Sequence, residues 1–209
     1  MIHELILATG NKGKIAEFQR LLGDLQITVQ SMKEYPEIGE IEEDGATFAE
    51  NALKKARTVC GATGKPAMAD DSGLMVDALD GAPGIFSARF AGEEHNDAAN
   101  NAKVLDLMQD VPDDQRGAQF FCAIAIVLPD GREYVVEGLC RGTLLHTLRG
   151  EGGFGYDPLF YVPELDKTFA QLTMEEKNAI SHRGLANKKA TDIIRQLQQE
   201  TAGEINGTV

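Results

Sequence analysis

The sequence predicts an α/β protein, with a mixed β-sheet, helices packed around it and a hairpin extension. Three observations favour this class. In the first half, short apolar runs alternate with segments whose apolar residues recur at helical spacing. Further along, strand-like runs at 120–128 and 133–139 are joined by a turn that contains Asp130-Gly131, which is a strong hairpin signal. A last long helical pattern begins near Ser181.

The first elements are predicted as a strand, a helix and a second strand. Residues 5–8 form a short buried strand, and Asn11 starts a helix that Gly23 ends. A second strand covers residues 27–29. A loop rich in proline, glycine and acidic residues then runs from 35 to 45.

The next helix has a clear start. Thr47 and Glu50 have the Thr-x-x-Glu spacing of a capping box, and Gly61 or Gly64 ends the helix. Its predicted buried stripe consists of Phe48, Ala52, Ala56, Val59 and Cys60.

Two strand pieces are predicted next, at 67–71 and 74–76, on either side of Ser72-Gly73. A turn at 81–84 and a helix at about 97–108 come before the hairpin.

The C-terminal part contains a glycine-rich loop at 150–155, a strand at 159–162 and the last helix. The apolar residues of that helix are Leu185, Ile193, Ile194 and Leu197. The tail at 201–209 is small and polar, and we expect it to fray. Since no repeat or long linker divides the chain, residues 1–209 are predicted to form one domain.

Charge and composition exclude several classes of function. With 20 Lys+Arg and 33 Asp+Glu, the net charge is −13, which argues against broad binding to nucleic acid or to an acidic membrane surface. Cys60, Cys122 and Cys140 are far apart, and core positions fit them better than a zinc site or a disulfide framework. The start lacks the pattern of a signal peptide, and no apolar run reaches 18 residues. A reducing cytoplasm fits these features.

Two adjacent carboxylates are the first candidates for chemistry. Asp70 and Asp71 follow an apolar run and precede Ser72 and Gly73. If both face one cleft, their repulsion makes a divalent cation the expected counter-charge. One carboxylate could also take a proton from an attacking water.

A second acidic cluster at 40–44 could complete such a site. Magnesium is usually held by one or two carboxylates plus substrate phosphate, so Glu42 or Glu43 with Asp70 or Asp71 would fit. The alternative is a solvated acidic loop, which is favoured for Glu37 and Glu40.

The turn at 9–14 is typical of an anion site, because a strand, a glycine-bearing turn and a helix present backbone N–H groups. Gly10 and Gly13 would allow close approach, and Lys14 adds a charge. The spacing is not that of a P-loop. The alternative is an ordinary strand–helix turn with Asn11 as the N-cap.

Lys55 is another candidate, because it shares a helix face with Asn51 at the edge of the apolar stripe. The alternative is a surface lysine.

The segment at 154–158 suggests recognition of a flat base. Phe154 or Tyr156 could stack on it, and Asp157 could accept hydrogen bonds from ring N–H groups. The alternative is a packed turn in which Pro158 stops a helix.

Lys177, His182 and Arg183 lie just before and at a helix start, where positive charge opposes the helix dipole. A bound anion would explain this arrangement better than a solvated helix start.

Six motifs together are highly specific, and they lie in order between residue 7 and about residue 197. They are Ala8-Thr9-Gly10-Asn11-x-Gly13-Lys14, Glu42-Glu43-Asp44-Gly45-x-Thr47-Phe48-x-Glu50-Asn51-Ala52, Ala69-Asp70-Asp71-Ser72-Gly73-Leu74, Gly81-Ala82-Pro83-Gly84-Ile85-x-Ser87-Ala88-Arg89, Gly152-Gly153-Phe154-Gly155-Tyr156-Asp157-Pro158 and Ser181-His182-Arg183-Gly184. With them the sequence closely resembles the inosine/xanthosine triphosphate pyrophosphatases.

The resemblance implies hydrolysis of ITP, dITP and XTP to the monophosphate and pyrophosphate, with magnesium as cofactor. It implies a homodimer and an elongated, two-lobed α/β fold with the active-site cleft between the lobes. Glu42 and Asp71 would bind magnesium, and Asp71 would be the catalytic general base.

The resemblance also assigns substrate-binding residues. Those for the phosphates would be Thr9, Gly10, Asn11, Lys12, Gly13, Lys14 and Lys55. Those for the rest of the nucleotide would be Ser72, Phe154, Gly155, Tyr156, Asp157, Lys177, His182 and Arg183. Arg89 would line the cleft as well.

Two other functions stay open at this point. One is a pyrophosphatase of related fold that prefers modified pyrimidine nucleotides, and the 154–157 segment and Ser181-His182-Arg183-Gly184 count against it. The other is a nucleotide-binding regulator without turnover, which would not need Asp71 as a base. A panel of nucleoside triphosphates assayed for pyrophosphate release separates all three.

Overall fold

The structure is a computed structural model that describes residues 2–93 and 96–206, with the backbone alone for 201–206. The strands of this part are β1 (Glu4–Leu7), β2 (Thr28–Ser31), β3 (Ala67–Val76), β4 (Gly117–Val127), β5 (Glu133–Leu144), β6 (Phe160–Val162) and β7 (Lys167–Thr168). Its α-helices are α1 (Lys12–Leu21), α2 (Phe48–Thr63), α3 (Asp97–Leu107), α4 (Met174–Ile180) and α5 (His182–Asn206).

The strands form one mixed sheet in the order β2-β1-β3-β4-β5-β6-β7. Strand β1 pairs in parallel with both β2 and β3, whereas β6 pairs antiparallel with β5 and β7. The predicted α/β class with a mixed sheet is therefore confirmed.

The described residues group into two compact units. The first comprises Met1–Asp71, Ala123–Glu137 and Ala186–Val209, and the second comprises Ser72–Cys122 and Gly138–Leu185. The elongated shape and the cleft that the resemblance implies stay predictions.

Helices α1 and α2 of the first unit start and end where the sequence indicates. Asn11 caps α1, and the side chain of Thr47 caps α2 by accepting a hydrogen bond from the Glu50 N–H. The predicted capping box is only half formed, since Glu50 accepts from the N–H of Ala46 instead of Thr47. Helix α2 ends at Gly64, whose φ of 65° lies in the left-handed region that glycine adopts without strain.

The core of the first unit includes β1, residues 67–69 of β3, residues 123–127 of β4 and the apolar stripe of α2. The predicted stripe of α2 is buried in full, and Asn51 is buried beside it. In α5 the prediction that Leu185 belongs to the apolar side was wrong, because Leu185 is exposed. The buried residues include Ala186 and Ala190, with Ile194 and Leu197. Since alanines allow a helix to pack closely, a search for large apolar side chains alone misses them.

Strand β3 corrects a second prediction. The sequence suggests two strand pieces around Ser72-Gly73, but one continuous strand runs from Ala67 to Val76. The polar stretch at its centre is tolerated because Asp70 and Asp71 each have partners on neighbouring helices, described below.

The core of the second unit includes Phe120, Phe160 and Phe169, whose ring centroids are 4.7 to 5.4 Å apart. Arg116 is also buried there, with 2% of its surface exposed. Its guanidinium donates hydrogen bonds to four backbone carbonyl oxygens, those of Met108, Val111, Leu144 and Leu145, at 2.6 to 3.3 Å. Burial lowers the pKa of Arg116 from its usual value.

The C-terminal segments add two findings. Helix α4 was not predicted, although Thr173 and Glu176 form the capping box that starts it. Helix α5 continues to Asn206, into the tail that we expect to fray, and residues 207–209 lie outside the described part, so fraying stays a prediction. Among the described helices, none combines the length and apolar character needed to span a bilayer.

Candidate active site

The turn between β1 and α1 is stabilised by its own side chains. The Asn11 Oδ1 accepts hydrogen bonds from the N–H groups of Gly13 (2.9 Å) and Lys14 (3.2 Å). The Thr9 hydroxyl accepts from the N–H of Asn11 at 3.1 Å. The N-cap alternative is thus confirmed for Asn11. The N–H groups of Gly13 and Lys14 are therefore already bonded within the turn, and anion binding here stays a prediction.

Lys14 binds Asp70. Its ammonium group lies 2.8 and 2.7 Å from the two carboxylate oxygens of Asp70, and both side chains are largely buried. Asp70 therefore has a cationic counter-charge within the first unit. Lys12, by contrast, is exposed.

Asp70 and Asp71 have different partners in the structure. Because successive residues of a strand point to opposite faces, their side chains leave β3 on opposite sides. A cation shared by both carboxylates stays a prediction. Asp70 binds Lys14 of α1, and Asp71 binds Asn51 of α2.

Asp71 is oriented by a buried amide. Asn51 is fully buried, and its Nδ2 donates a hydrogen bond to Asp71 Oδ2 at 2.9 Å. Its Oδ1 accepts from the N–H of Gly45 at 2.8 Å. A Cβ at Gly45 would lie only 2.7 Å from this oxygen, so the loop can approach Asn51 closely only without a side chain there. Asn51 therefore links the acidic loop to Asp71.

The acidic loop also pairs with α2. Lys55 donates a short hydrogen bond to Glu43, and the Lys55 side chain is mostly buried. Glu42, the predicted magnesium ligand, is exposed in the same loop. Lys55 is thus not the isolated surface lysine of the alternative.

In the second unit, Phe154 presents an aromatic surface to solvent. Its side chain is 60% exposed. The Lys177 ammonium lies 4.8 Å from the ring centroid, and the Arg183 guanidinium carbon lies 5.4 Å from it. An exposed ring with two cations over it is suited to stacking of a flat, electron-rich or anionic ligand.

Asp157 holds this loop together. It is almost fully buried, its Oδ2 accepts from the N–H of Phe154 at 2.9 Å, and it forms a short ion pair with Lys177. In the structure this carboxylate orients Lys177 and the loop. The predicted role as an acceptor for ring N–H groups of a base stays untested.

Tyr156 was one of the two rings predicted to stack on a base, but the structure does not place it for that role. It is buried in the core of the second unit, and its hydroxyl donates to the carbonyl oxygen of Ser87 at 2.8 Å. Burial, with the Asp97 carboxylate as a smaller cause, raises the pKa of Tyr156 well above its usual value. Its ring therefore supports the loop and does not present a stacking surface, and Phe154 alone of the two rings does so.

The start of α5 contributes the remaining predicted residues. Arg183 donates to the hydroxyl of Ser72 at 3.1 Å. His182 is buried and stacks on Phe120 at 4.8 Å between centroids. The Ser181 hydroxyl caps the helix by accepting from the N–H of Gly184, where a Cβ would lie 1.9 Å from the Asn178 carbonyl oxygen. Arg89, the lesser candidate, has its guanidinium 5.5 Å from the ring of Phe86.

Lys33 lies beside the turn between β1 and α1, and the sequence did not predict it as a site residue. Its side chain crosses Gly10 so closely that a Cβ at Gly10 would lie 2.0 Å from Lys33 Cε and 2.7 Å from its Nζ. Ser31 caps the short helical turn of Lys33 and donates from its hydroxyl to the Thr9 carbonyl oxygen at 2.8 Å. The parallel register of β1 and β2 could have indicated this, because it brings the two strand ends together.

Asp97 and Asn101 of α3 were missed as well. The Asp97 carboxylate accepts from the N–H of Gly155 at 2.7 Å, and Asn101 Nδ2 donates to the Gly155 carbonyl oxygen at 2.8 Å. No local motif marks these residues, since their partner is more than 50 positions away in the chain.

Comparisons with known proteins agree on one family. The sequence profile described as the Ham1 family matches residues 5–193. A protein of Desulforamulus reducens named dITP/XTP pyrophosphatase is 58% identical over 93% of this chain and 96% of its own length. A protein of Geobacter sulfurreducens with the same name is 53% identical over 87% of this chain and 92% of its own length.

Solved structures give the same result. A HAM1 protein from Coxiella burnetii superposes with a TM-score of 0.88 at 43% identity, covering 94% of this chain and all of that one. The Staphylococcus aureus Ham1 protein gives a TM-score of 0.84 at 43% identity, over 96% of this chain and 99% of that one. With a profile match over most of its length and relatives more than half identical, this chain belongs to the Ham1 family.

Proposed function

We propose that this protein is a magnesium-dependent pyrophosphatase that hydrolyses the deaminated purine nucleoside triphosphates ITP, dITP and XTP to monophosphate and pyrophosphate. The name dITP/XTP pyrophosphatase, which relatives up to 58% identical carry, supports the substrate class. This activity would remove deaminated nucleotides from the nucleotide pool.

The observation that carries the chemistry is the buried, oriented carboxylate of Asp71. Asn51 fixes one of its oxygens by a 2.9 Å hydrogen bond. A carboxylate with a defined orientation can accept the proton of a water that attacks the α-phosphorus. Asp70, whose two oxygens are both bound by Lys14, is less suited to this role.

The donor set is chemically suited to magnesium. Glu42 and Asp71 offer carboxylate oxygens, the ligands that magnesium prefers. In the described part of the chain, no three His, Cys, Asp or Glu side chains are grouped to hold a metal ion. Magnesium is usually held by one or two carboxylates together with substrate phosphate. When bound, the ion would neutralise charge on the phosphate oxygens.

Cationic residues of the first unit would bind the triphosphate. Lys14 and Lys55 each pair with a carboxylate, so each ammonium group is held in place before a ligand arrives. Attack at the α-phosphorus builds negative charge on the departing pyrophosphate, and positive charges in fixed positions stabilise this charge without reorganisation. The ion pairs therefore act as preorganised supports of the phosphate subsite.

The second unit would bind the base. We assign stacking to the exposed ring of Phe154 and donation toward the 6-oxo group to Arg183 or a nearby N–H group. A donor at this position favours hypoxanthine and xanthine over adenine, which has an amino group there. Guanine shares the 6-oxo group, so its 2-amino group has to be rejected by shape or by an unpaired donor.

The resemblance also leads us to propose a homodimer located in the cytoplasm. Size-exclusion chromatography with light scattering tests the dimer, for which a mass near 45 kDa is expected, or twice the 22.6 kDa of the chain. A mass of one chain at micromolar concentration would contradict it.

The deciding experiment is pyrophosphate release measured over a panel of nucleoside triphosphates. We expect ITP, dITP and XTP to exceed ATP and GTP in kcat/KM, and activity to be lost with EDTA and restored by Mg²⁺. A preference for modified pyrimidine nucleotides, or tight binding of ITP without product, would overturn the proposal.

Asp71→Asn tests the base. Because Asp71 is also a proposed magnesium ligand, the assay is run at a Mg²⁺ concentration that saturates the variant. An amide cannot take the proton from water, so kcat should then still fall by about 100-fold or more, while KM changes little. Asp77→Asn, a carboxylate in the short turn after β3, is the control and should keep its activity. If Asp71→Asn retained the wild-type kcat, Asp71 would not be the base.

A further inference from the structure

Phe154 has an exposed ring on a backbone that hydrogen bonds fix in place. Both N–H groups and both carbonyl oxygens of Phe154 and Gly155 have hydrogen-bond partners. The Phe154 N–H donates to Asp157 Oδ2 at 2.9 Å, and its carbonyl oxygen accepts from the Asp157 N–H at 3.2 Å. The two groups of Gly155 are bonded by side chains of α3.

Two side chains of α3, one helical turn apart, form hydrogen bonds with the backbone of Gly155. Asp97 accepts from the Gly155 N–H at 2.7 Å, and Asn101 donates to the Gly155 carbonyl oxygen at 2.8 Å. Gly155 has a φ of 60°, in the left-handed region. Because a glycine is conformationally free, this position requires external support to stay in one conformation.

Asn101 is itself fixed. It is buried, and its Nδ2 also donates to the carbonyl oxygen of Asp97 at 2.8 Å, within its own helix. Its Oδ1 is buried and has no hydrogen-bond partner among the described residues. Burying an unpaired acceptor is costly, so this amide is poorly explained as a stabiliser of α3 alone. Its second donation, to the loop, gives it a role in placing Gly155.

We propose that Asp97 and Asn101 are positioning residues that hold the ring of Phe154 in place for stacking of the purine base. Neither residue touches the substrate; both act through the backbone of Gly155, the neighbour of Phe154. The base as ligand rests on the proposed function, whereas the control of the ring position does not.

The rotational freedom of the ring can be followed by fluorescence, because the chain contains no tryptophan. Phe154→Trp introduces a single reporter, whose steady-state anisotropy is measured without ligand. Combined with Asp97→Ala or with Asn101→Ala, the reporter should show a lower anisotropy, since the loop loses a support. Combined with Asp106→Ala, an exposed carboxylate of α3, it should show the anisotropy of the single variant.

Ligand binding by the variants with the native Phe154 is the second readout. In Asp97→Ala and Asn101→Ala, the affinity for inosine monophosphate should fall by about 10-fold, while the affinity for inorganic pyrophosphate stays unchanged. Asp97→Asn, which keeps an acceptor oxygen for the Gly155 N–H, should recover most of the lost affinity. A general loss of structure would weaken both ligands together.

Two results would overturn the inference. The first is an unchanged anisotropy in the folded Asp97→Ala and Asn101→Ala reporters. The second is an equal loss of affinity for inosine monophosphate and pyrophosphate. If the wild-type protein did not hydrolyse ITP, the proposed function would fail, and the anisotropy would still decide whether α3 positions the ring.

Discussion

The buried Asn51 amide donates a hydrogen bond to Asp71 and accepts one from the Gly45 N–H, so that one side chain of α2 bridges the acidic loop and the predicted base. The Asn51 side chain is completely inaccessible to solvent. Its orientation is determined by both partners, because only Nδ2 can donate to a carboxylate and only Oδ1 can accept from an N–H group.

Asn51→Ala should therefore impair turnover more than binding. The Asp71 carboxylate loses its orienting donor and can rotate away from the attacking water. We expect kcat for ITP to fall roughly 10- to 100-fold, with a change in KM of about 3-fold or less. Steady-state kinetics of ITP hydrolysis measure both.

Thr58→Ala, on an exposed part of the same helix, is the matched control and should leave kcat unchanged. If Asn51→Ala raised KM and kept kcat, the amide would serve binding and not the orientation of Asp71.

The ion pair between Lys14 and Asp70 leads to a second prediction. Lys14→Met removes a cation from the phosphate subsite and leaves a largely buried carboxylate without its counter-charge. We expect the Kd for inorganic tripolyphosphate, measured by calorimetry, to rise about 10-fold or more. Asp70→Asn keeps the lysine and should not raise this Kd. Equal weakening by both variants would mean that the pair has only a structural role.

Lys33 leads to a third prediction, because its side chain lies across Gly10 and it forms no ion pair with any residue that the structure describes. An ammonium group at this turn should add to the attraction of a triphosphate. We expect Lys33→Met to raise KM for ITP by about 3- to 10-fold at low ionic strength, and by less at high salt. Lys188→Met, an exposed lysine of α5, is the control. An unchanged KM would exclude Lys33 from the phosphate subsite.

Local sequence signals predicted much of the fold. Helices α1 and α2 are marked by caps at Asn11 and Thr47, and the hairpin by Asp130-Gly131, since these signals depend on neighbours within a few residues. The strand β3 was split in the prediction because two carboxylates interrupt its apolar pattern. Only their partners, Lys14 and Asn51, explain why the strand continues.

The candidate site was harder to read from the sequence. Tyr156 and Phe154 look alike as aromatic residues of one loop, yet one is buried and the other is exposed. Tyr156 packs into the core of the second unit, and its hydroxyl donates to the carbonyl oxygen of Ser87, 69 residues away in the chain. The hydrogen bonds between α3 and Gly155 likewise join residues that are far apart in the chain, so no local sequence pattern predicts them.

Arg116 should be essential for the stability of the second unit. Its guanidinium is the donor for four buried carbonyl oxygens, at the end of α3 and the end of β5. Arg116→Met removes these donors, and we expect a loss of about 3 kcal/mol or more and a fall in Tm on the order of 10 °C, measured by calorimetry.

Arg132→Met is the control for Arg116. It removes an exposed arginine that pairs with Asp130 and should change Tm by no more than about 3 °C. A Tm for Arg116→Met as high as that of the control would mean that water replaces the guanidinium without cost.

The thiol of Cys140 should titrate only at strongly alkaline pH. Burial, with a smaller effect of Glu164, raises the pKa of Cys140 from 9.0 to about 11. Well below pH 9 the thiol is protonated in both states. Between about pH 9 and 11 the unfolded chain has lost this proton and the folded protein has not, so the free energy of unfolding falls as the pH rises through this window. We therefore expect iodoacetamide to modify Cys140 slowly at pH 8 and much faster after unfolding in urea, as measured by peptide mass spectrometry. Modification of native Cys140 at pH 8 at the rate of a free thiol would show that this cysteine is accessible and ionised like an ordinary one.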